Sequence, residues 1–178
     1  MTEEQINELA KTIYEQNVER GWWDDPDRCV YRTLQLVNTE IAEATEGDRK
    51  DLMDDHLPHR KMVEVELADT LIRLLDLAGR YKWVYTKCDP FLPLKGYTSL
   101  GQAHFWLTAD VCSIGKALHG ITLWLVGEAY SRAVQNILYV AEREGYDLMG
   151  ATEEKLEYNR VRADHNRNNR AKDHGKKY

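Results

Sequence analysis

The stretch VEVELADTLIRLL, residues 63–75, constrains the fold more than any other part of the chain. On a helical wheel of about 100° per residue, Val63, Leu67, Leu71, Leu74, Leu75 and Ala78 form one face, which Val65, Ala68 and Ile72 widen. Apolar side chains then cover roughly two-thirds of the circumference, and a helix of that kind is stable only when other elements surround it. The remaining stripe, about 80° wide, carries Glu66, Asp69, Arg73 and Asp76.

The rest of the chain supplies helical partners. Thr2 with Gln5 matches a capping box and opens a helix to about Gly21, with Ile6, Leu9, Ile13 and Val18 near one face. GWWDDPDR (21–28) is a loop. Asp25 as cap and Pro26 as first helical residue predict a second helix ending near Gly47, its core face Val30, Leu34, Val37, Ile41 and Ala44. Polar GDRKDLMDDHLPHR (47–60) connects it to a third helix over about 61–82. TKCDPFLPLKGYTS (86–99) breaks the pattern. Two helices follow over 99–145, parted near Gly120, and a last one runs over about 148–164. There is no repeat, no glycine-rich phosphate loop and no strand pair. The expected fold is an all-α bundle, one domain over residues 1–164 with a basic tail over 165–178.

Composition removes several function classes. The longest apolar run, near 121–126, is about six residues, far below the roughly 20 that span a bilayer. Cys29, Cys88 and Cys112 are odd in number and lack paired spacing, which suits reduced thiols rather than a disulfide framework or zinc site. No apolar segment follows a basic start, so a cytoplasmic location is expected, the host's if the chain is phage-encoded. The net charge of −6 divides into +5 over residues 155–178 and −11 over residues 1–154. An acidic body is a poor nucleic-acid footprint, and neither nucleic acid nor membrane is an expected partner. It suits a site where cations bridge protein carboxylates to an anionic ligand. A solvated basic tail is the plainer account of the positive end.

The carboxylates of the third helix have counterparts upstream. LVNTEIAEA (36–44) places Glu40 and Glu43 at the edge of the second helix's core face. Each pair is spaced i, i+3, so two adjacent antiparallel helices would bring four carboxylates to one pocket. Without a cation they repel, and some must stay protonated. Hard oxygen donors favour Mg²⁺ or Mn²⁺ over zinc. A lone E-x-x-E is ordinarily a salt-bridged surface pair, here with Arg73 to hand; two such pairs on core helices favour the metal. A di-iron bundle would need Glu-x-x-His, and no histidine has an acidic residue three positions before it.

EIAE (40–43), 22 intervening residues and ELAD (66–69) resemble the E-x-x-E…E-x-x-D signature of the all-α, MazG-like nucleoside triphosphate pyrophosphohydrolases. GWWDD (21–25), EGDRKDLMDDHLPHR (46–60) and EEKLEYNRVRADHNRNNR (153–170) resemble the flanks of the short single-domain members of bacteria and phages. The likeness covers most of the chain, weakly between about 83 and 130. It implies hydrolysis between the α and β phosphates to a nucleoside monophosphate and pyrophosphate, dependence on Mg²⁺, and a homo-oligomer, dimer or tetramer. Motif by motif, Glu40, Glu43, Glu66 and Asp69 match the metal-binding carboxylates, and Lys155, Asn159 and Arg162 match the K…N…R pattern that meets the phosphates. Their i, i+4, i+7 spacing independently places these three on one helix face.

On this reading Glu43 is the expected general base, and Lys155 and Arg162 offset charge on the leaving pyrophosphate. Asn17 either reads a base edge or satisfies a loop carbonyl. Trp22 and Trp23 either stack on a base or serve as core or interface aromatics. His56 and His59 have structural or solvated roles. Trp83, Tyr85, Phe91, Tyr97, Phe105 and Trp106 read as subunit interface. Purine triphosphates, (d)GTP first, are the expected substrates by analogy with phage-borne relatives. The competing reading is a non-catalytic helical interaction module that keeps the fold.

Overall fold

The computed structural model describes residues 1–120 and 124–162. Seven helices are described: α1 Glu3–Glu19, α2 Val30–Lys50, α3 Met62–Tyr81, α4 Leu92–Lys95, α5 Leu100–His119, α6 Trp124–Glu144 and α7 Leu148–Val161. Among the described residues the one strand-like feature is an isolated antiparallel bridge, Met53 to Lys61. The architecture is all-α. No described helix is long and apolar enough to cross a membrane. The expected tail lies outside the described residues, as do the final residues of the expected last helix.

Helix α3 is the central element, packed against α1, α2, α6 and α7. Leu67, Leu71, Leu74, Leu75 and Leu77 have no exposed surface, and each contributes about 1.5–3 kcal/mol by leaving water. Gly79 lets α1 lie directly on it, because a Cβ there would stand 2.6 Å from the Ala10 carbonyl oxygen.

Helix α1 has the expected capping box: Gln5 N–H donates to Thr2 Oγ1 (3.2 Å), and Thr2 N–H to Gln5 Oε1 (2.8 Å). Helix α2 departs from expectation at both ends. It begins at Val30 rather than Pro26, because Asp25 turns its carboxylate to the Asp27 N–H (3.0 Å) and Arg28 is held by the Trp22 carbonyl (2.5 Å). It continues past Gly47 to Lys50 and ends on left-handed Asp51 (φ 50°). Gly47 is a contact point, since a Cβ there would lie 2.9 Å from that of Met62 on α3.

The polar connection between α2 and α3 is an ordered loop. Asp54 Oδ1 accepts from the His56 and Leu57 N–H groups (2.9 and 2.7 Å), and Asp54 N–H donates to the Arg60 carbonyl (3.0 Å). Arg60 then ties loop to helices, with Glu64 of α3 and Glu154 of α7 each at 2.8 Å and Asp147, which caps α7, at 3.2 Å.

Tyr85 and Tyr97, expected at a subunit interface, are instead buried in the chain's own core. Their hydroxyls reach Gln135 (2.7 Å) and Glu144 (2.5 Å) of α6, so each ring is apolar filler with its polar end satisfied. Trp83 and Trp106 also pack against this core, whereas Phe105 is exposed.

Candidate functional site

One cleft of about 460 Å³ collects nearly all the predicted site residues. Its walls come from α1, the α1–α2 loop, α2, the α2–α3 loop, α3 and α7 with the residue that follows it. Asn17, Trp22, Glu40, Glu43, Glu66, Asp69, Lys155, Asn159 and Arg162 all line it.

Carboxylate oxygens of Glu40, Glu43 and Glu66 lie within 4.8 Å of one another. Glu40 and Glu66 are buried and Glu43 is exposed. Asp69, predicted as the fourth ligand, stands outside this set. Its Oδ2 is 2.8 Å from Lys155 Nζ, and the ammonium draws it towards α7. Lys155, expected to face the phosphates, is only 3% exposed and sits among the carboxylates. Arg73 meets Glu40 Oε1 at 2.5 Å. The two ion pairs therefore offset the charges of Glu40 and Asp69.

Electrostatics shows the strain of gathering these groups. Burial, reinforced by the Asp69 and Glu40 carboxylates, raises Glu66 from 4.5 to about 9. Burial also raises Asp69 to about 6, against the pull of Lys155. Burial works against the charge of Lys155, but Asp69 more than offsets it and holds the ammonium above its ordinary value. Glu66 Oε2 is buried without a hydrogen-bond partner. An orphaned carboxylate oxygen beside two further carboxylates fits a hard divalent cation, Mg²⁺ or Mn²⁺, which would take the ionised form.

This makes a prediction about stability. A Glu66 proton held by the folded chain up to about pH 9 is released by the unfolded chain near 4.5. The contribution is full below the lower value and is lost as pH rises through the upper one, so the cation-free protein melts at a lower temperature at about pH 8.5 than at about pH 6. A divalent cation held by these carboxylates would raise Tm more at the higher pH, because it would compete with that proton. Glu66→Gln flattens both dependences. Thermal scans with and without Mn²⁺ check this.

Apolar and aromatic Ile13, Leu36, Ile72 and Trp22 also line the cleft, as do Arg20, Arg28 and Asp76. Trp23 turns away to pack on the core, its indole N–H donating to Asp76 Oδ1 (2.9 Å) and its ring beneath the Arg28 guanidinium (4.5 Å to the centroid). Asn17 is half-buried, and its side chain helps to lower the pKa of Asp76. Asn159 presents a buried, unpartnered Oδ1, and Arg162 lies over the Tyr158 ring (5.7 Å).

Three cleft residues escaped the sequence reading. His56, expected to be structural or solvated, stacks on Tyr158 (4.5 Å between centroids) at the cleft wall, its pKa lowered by burial and by Lys155 and Arg162. Arg28 and Asp76 were visible only as a loop cation and the last member of a stripe. His59 pairs with Glu154 (2.7 Å), as a structural role requires.

Family models, curated proteins and solved structures give no match to this chain.

Proposed function

We propose that the protein is a divalent-cation-dependent, MazG-like nucleoside triphosphate pyrophosphohydrolase, converting a (d)NTP and water to (d)NMP and pyrophosphate, with (d)GTP preferred. One observation carries the reading. A single cleft brings clustered Glu40, Glu43 and Glu66 together with cationic Lys155 and Arg162 and with apolar and aromatic Ile13, Leu36, Ile72 and Trp22. Those are the groups that the phosphates and the base of a nucleotide call for.

Glu40, Glu43 and Glu66 would hold the cation, with Asp69 beside them. Such an ion neutralises triphosphate charge and makes water a better nucleophile at neutral pH. The chain's own groups do the rest. Glu43, the exposed carboxylate of the set, accepts the proton of the water that attacks the α-phosphorus. The new bond joins water oxygen to the α-phosphorus, the α–β bridging bond breaks, and pyrophosphate leaves with the electron pair. Arg162 offsets charge on the leaving group. Lys155 holds Asp69 in its ionised form, and Asn159 and Trp22 contact substrate.

Incubation of the protein with each common (d)NTP and Mg²⁺ tests this, with monophosphate and pyrophosphate as the only products and no turnover in EDTA. Arg162→Ala lowers kcat/KM about ten- to a hundredfold for every base, because a charge-assisted phosphate contact of about 1.5–3 kcal/mol reads no base. Equal rates in the variant would place the phosphate clamp elsewhere.

Exposed Leu92 (79%), Phe105 (65%) and Trp124 (62%) favour a homo-oligomer, dimer or tetramer, which light scattering of the purified chain reports. The Lys155–Asp69 and Arg73–Glu40 pairs favour a second reading, a non-catalytic helical module whose carboxylates are neutralised from within. That module would not change its melting temperature with Mn²⁺.

A further inference from the structure

The stripe on α3 has a member that the proposed chemistry leaves unused. Glu66 belongs to the carboxylate cluster, Asp69 is paired with Lys155 and Arg73 with Glu40, but Asp76 has no part in hydrolysis. It lines the same cleft, about 10 Å further along the helix axis than Asp69 at 1.5 Å per residue. Ribose and base fill that distance when the phosphates lie at the carboxylate end.

We propose that Asp76 is the specificity-determining residue of the base subsite and selects a nucleobase that presents two adjacent N–H donors, the guanine edge. The proposal rests on the nucleotide reading of the cleft.

A carboxylate only 7% exposed is costly to maintain, and burial holds its pKa up at about 6. The neighbours secure it as an anion with a fixed direction. Trp23 Nε1 donates to Oδ1 at 2.9 Å, and Asn17, Arg28 and Arg73 further favour the charged form. Even with Asn17 beside it, the Trp23 bond leaves part of the roughly four acceptor positions of an ionised carboxylate for a ligand. The subsite therefore has an anionic acceptor in a cleft that Trp22, Ile13, Leu36 and Ile72 also line.

Base chemistry does the selecting. Guanine offers N1–H and the N2 amino group side by side, matching the two oxygens of one carboxylate. Hypoxanthine keeps N1–H but lacks the amino group. Adenine and cytosine place an acceptor nitrogen beside their amino group, and uracil and thymine flank their single N–H with carbonyl oxygens; each would set a lone pair against Asp76. A buried polar group left unmatched penalises the wrong ligand more than a missing apolar contact does.

Calorimetric titration of the full-length protein with dGMP, dIMP, dAMP, dCMP and dTMP tests the proposal without requiring turnover. The wild type should bind dGMP about tenfold more tightly than dIMP and about a hundredfold more tightly than the other three, on the scale of one and two charge-assisted hydrogen bonds. Asp76→Asn keeps an oxygen for Trp23 but replaces one acceptor with a donor. It should bring all five within a few-fold of one another while circular dichroism stays unchanged. Equal weakening of every nucleotide by Asp76→Asn would make the residue a structural anchor of Trp23 and Asn17 and overturn the proposal. So would a wild type that prefers dAMP, dCMP or dTMP, or binds none. If the variant does not fold, the wild-type comparison of dGMP with dIMP decides. A parallel assay of pyrophosphate release separates the two claims. Base-selective binding with no hydrolysis removes the enzymatic reading and keeps the subsite, whereas hydrolysis without guanine preference does the reverse.

Discussion

Glu66→Gln is expected to abolish the proposed pyrophosphohydrolase activity while leaving the fold at least as stable as before. The loss should be at least about a thousandfold in kcat, the scale on which removing one member of an interdependent catalytic set acts. Stability should hold because burial and the neighbouring carboxylates keep Glu66 protonated up to about 9, so without cation the wild-type side chain is already neutral at pH 7. Glutamine copies that neutral form in size and polarity but cannot become the anion that a divalent cation requires. Asp69→Asn makes an instructive contrast. It too should be inactive, but it strands Lys155, whose side chain is 4% exposed and paired with Asp69 at 2.8 Å. Removing one partner of a buried pair costs about 3–5 kcal/mol. Chemical denaturation and turnover on the two variants check both halves: one should be inactive and stable, the other inactive and destabilised. An active Glu66→Gln would remove the carboxylate cluster from the mechanism.

Arg60→Leu is expected to cost about 3 kcal/mol, the low end for a broken buried pair, because only part of its network is shielded from water. The Arg60 side chain is 12% exposed and Glu64 11%, whereas Glu154 is 38% exposed and Asp147 66%. Losing the guanidinium leaves Glu64 buried with the Asp147 N–H (2.9 Å) as its remaining donor. It also frees the start of α7, which carries Lys155, Asn159 and Arg162 into the cleft. The urea midpoint should fall, and kcat/KM should fall with it below the unfolding temperature. Arg60→Lys should recover part of the stability, since a point charge replaces a planar fork. An unchanged midpoint would mean that the loop and α7 are held by packing alone.

What was legible in the sequence followed helical periodicity. The apolar face of α3 and the capping box of Thr2 and Gln5 are local patterns, and the structure reproduces them. The start of α2 was misread because Asp25-Pro26 has the chemistry of a helix start, while the hold on Arg28 comes from Trp22 and Thr33. Gly47 was misread as a terminator because its true constraint, Met62, lies on another helix. Spacing put Lys155, Asn159 and Arg162 on one face, and all three line the cleft. Spacing could not reveal that Lys155 would turn to Asp69. Asp76 was visible as the end of a stripe, but its partner Trp23 is 53 residues away. The cleft is made of such long-range meetings.

The most direct test of the account is the fate of solvent oxygen. The protein, dGTP and Mg²⁺ are incubated in water enriched in heavy oxygen, and the products are weighed by mass spectrometry. Attack at the α-phosphorus places one labelled oxygen in dGMP and none in pyrophosphate, with no product of either kind when EDTA replaces Mg²⁺. Label in the pyrophosphate, release of dGDP and free phosphate, or turnover undiminished by EDTA would contradict it.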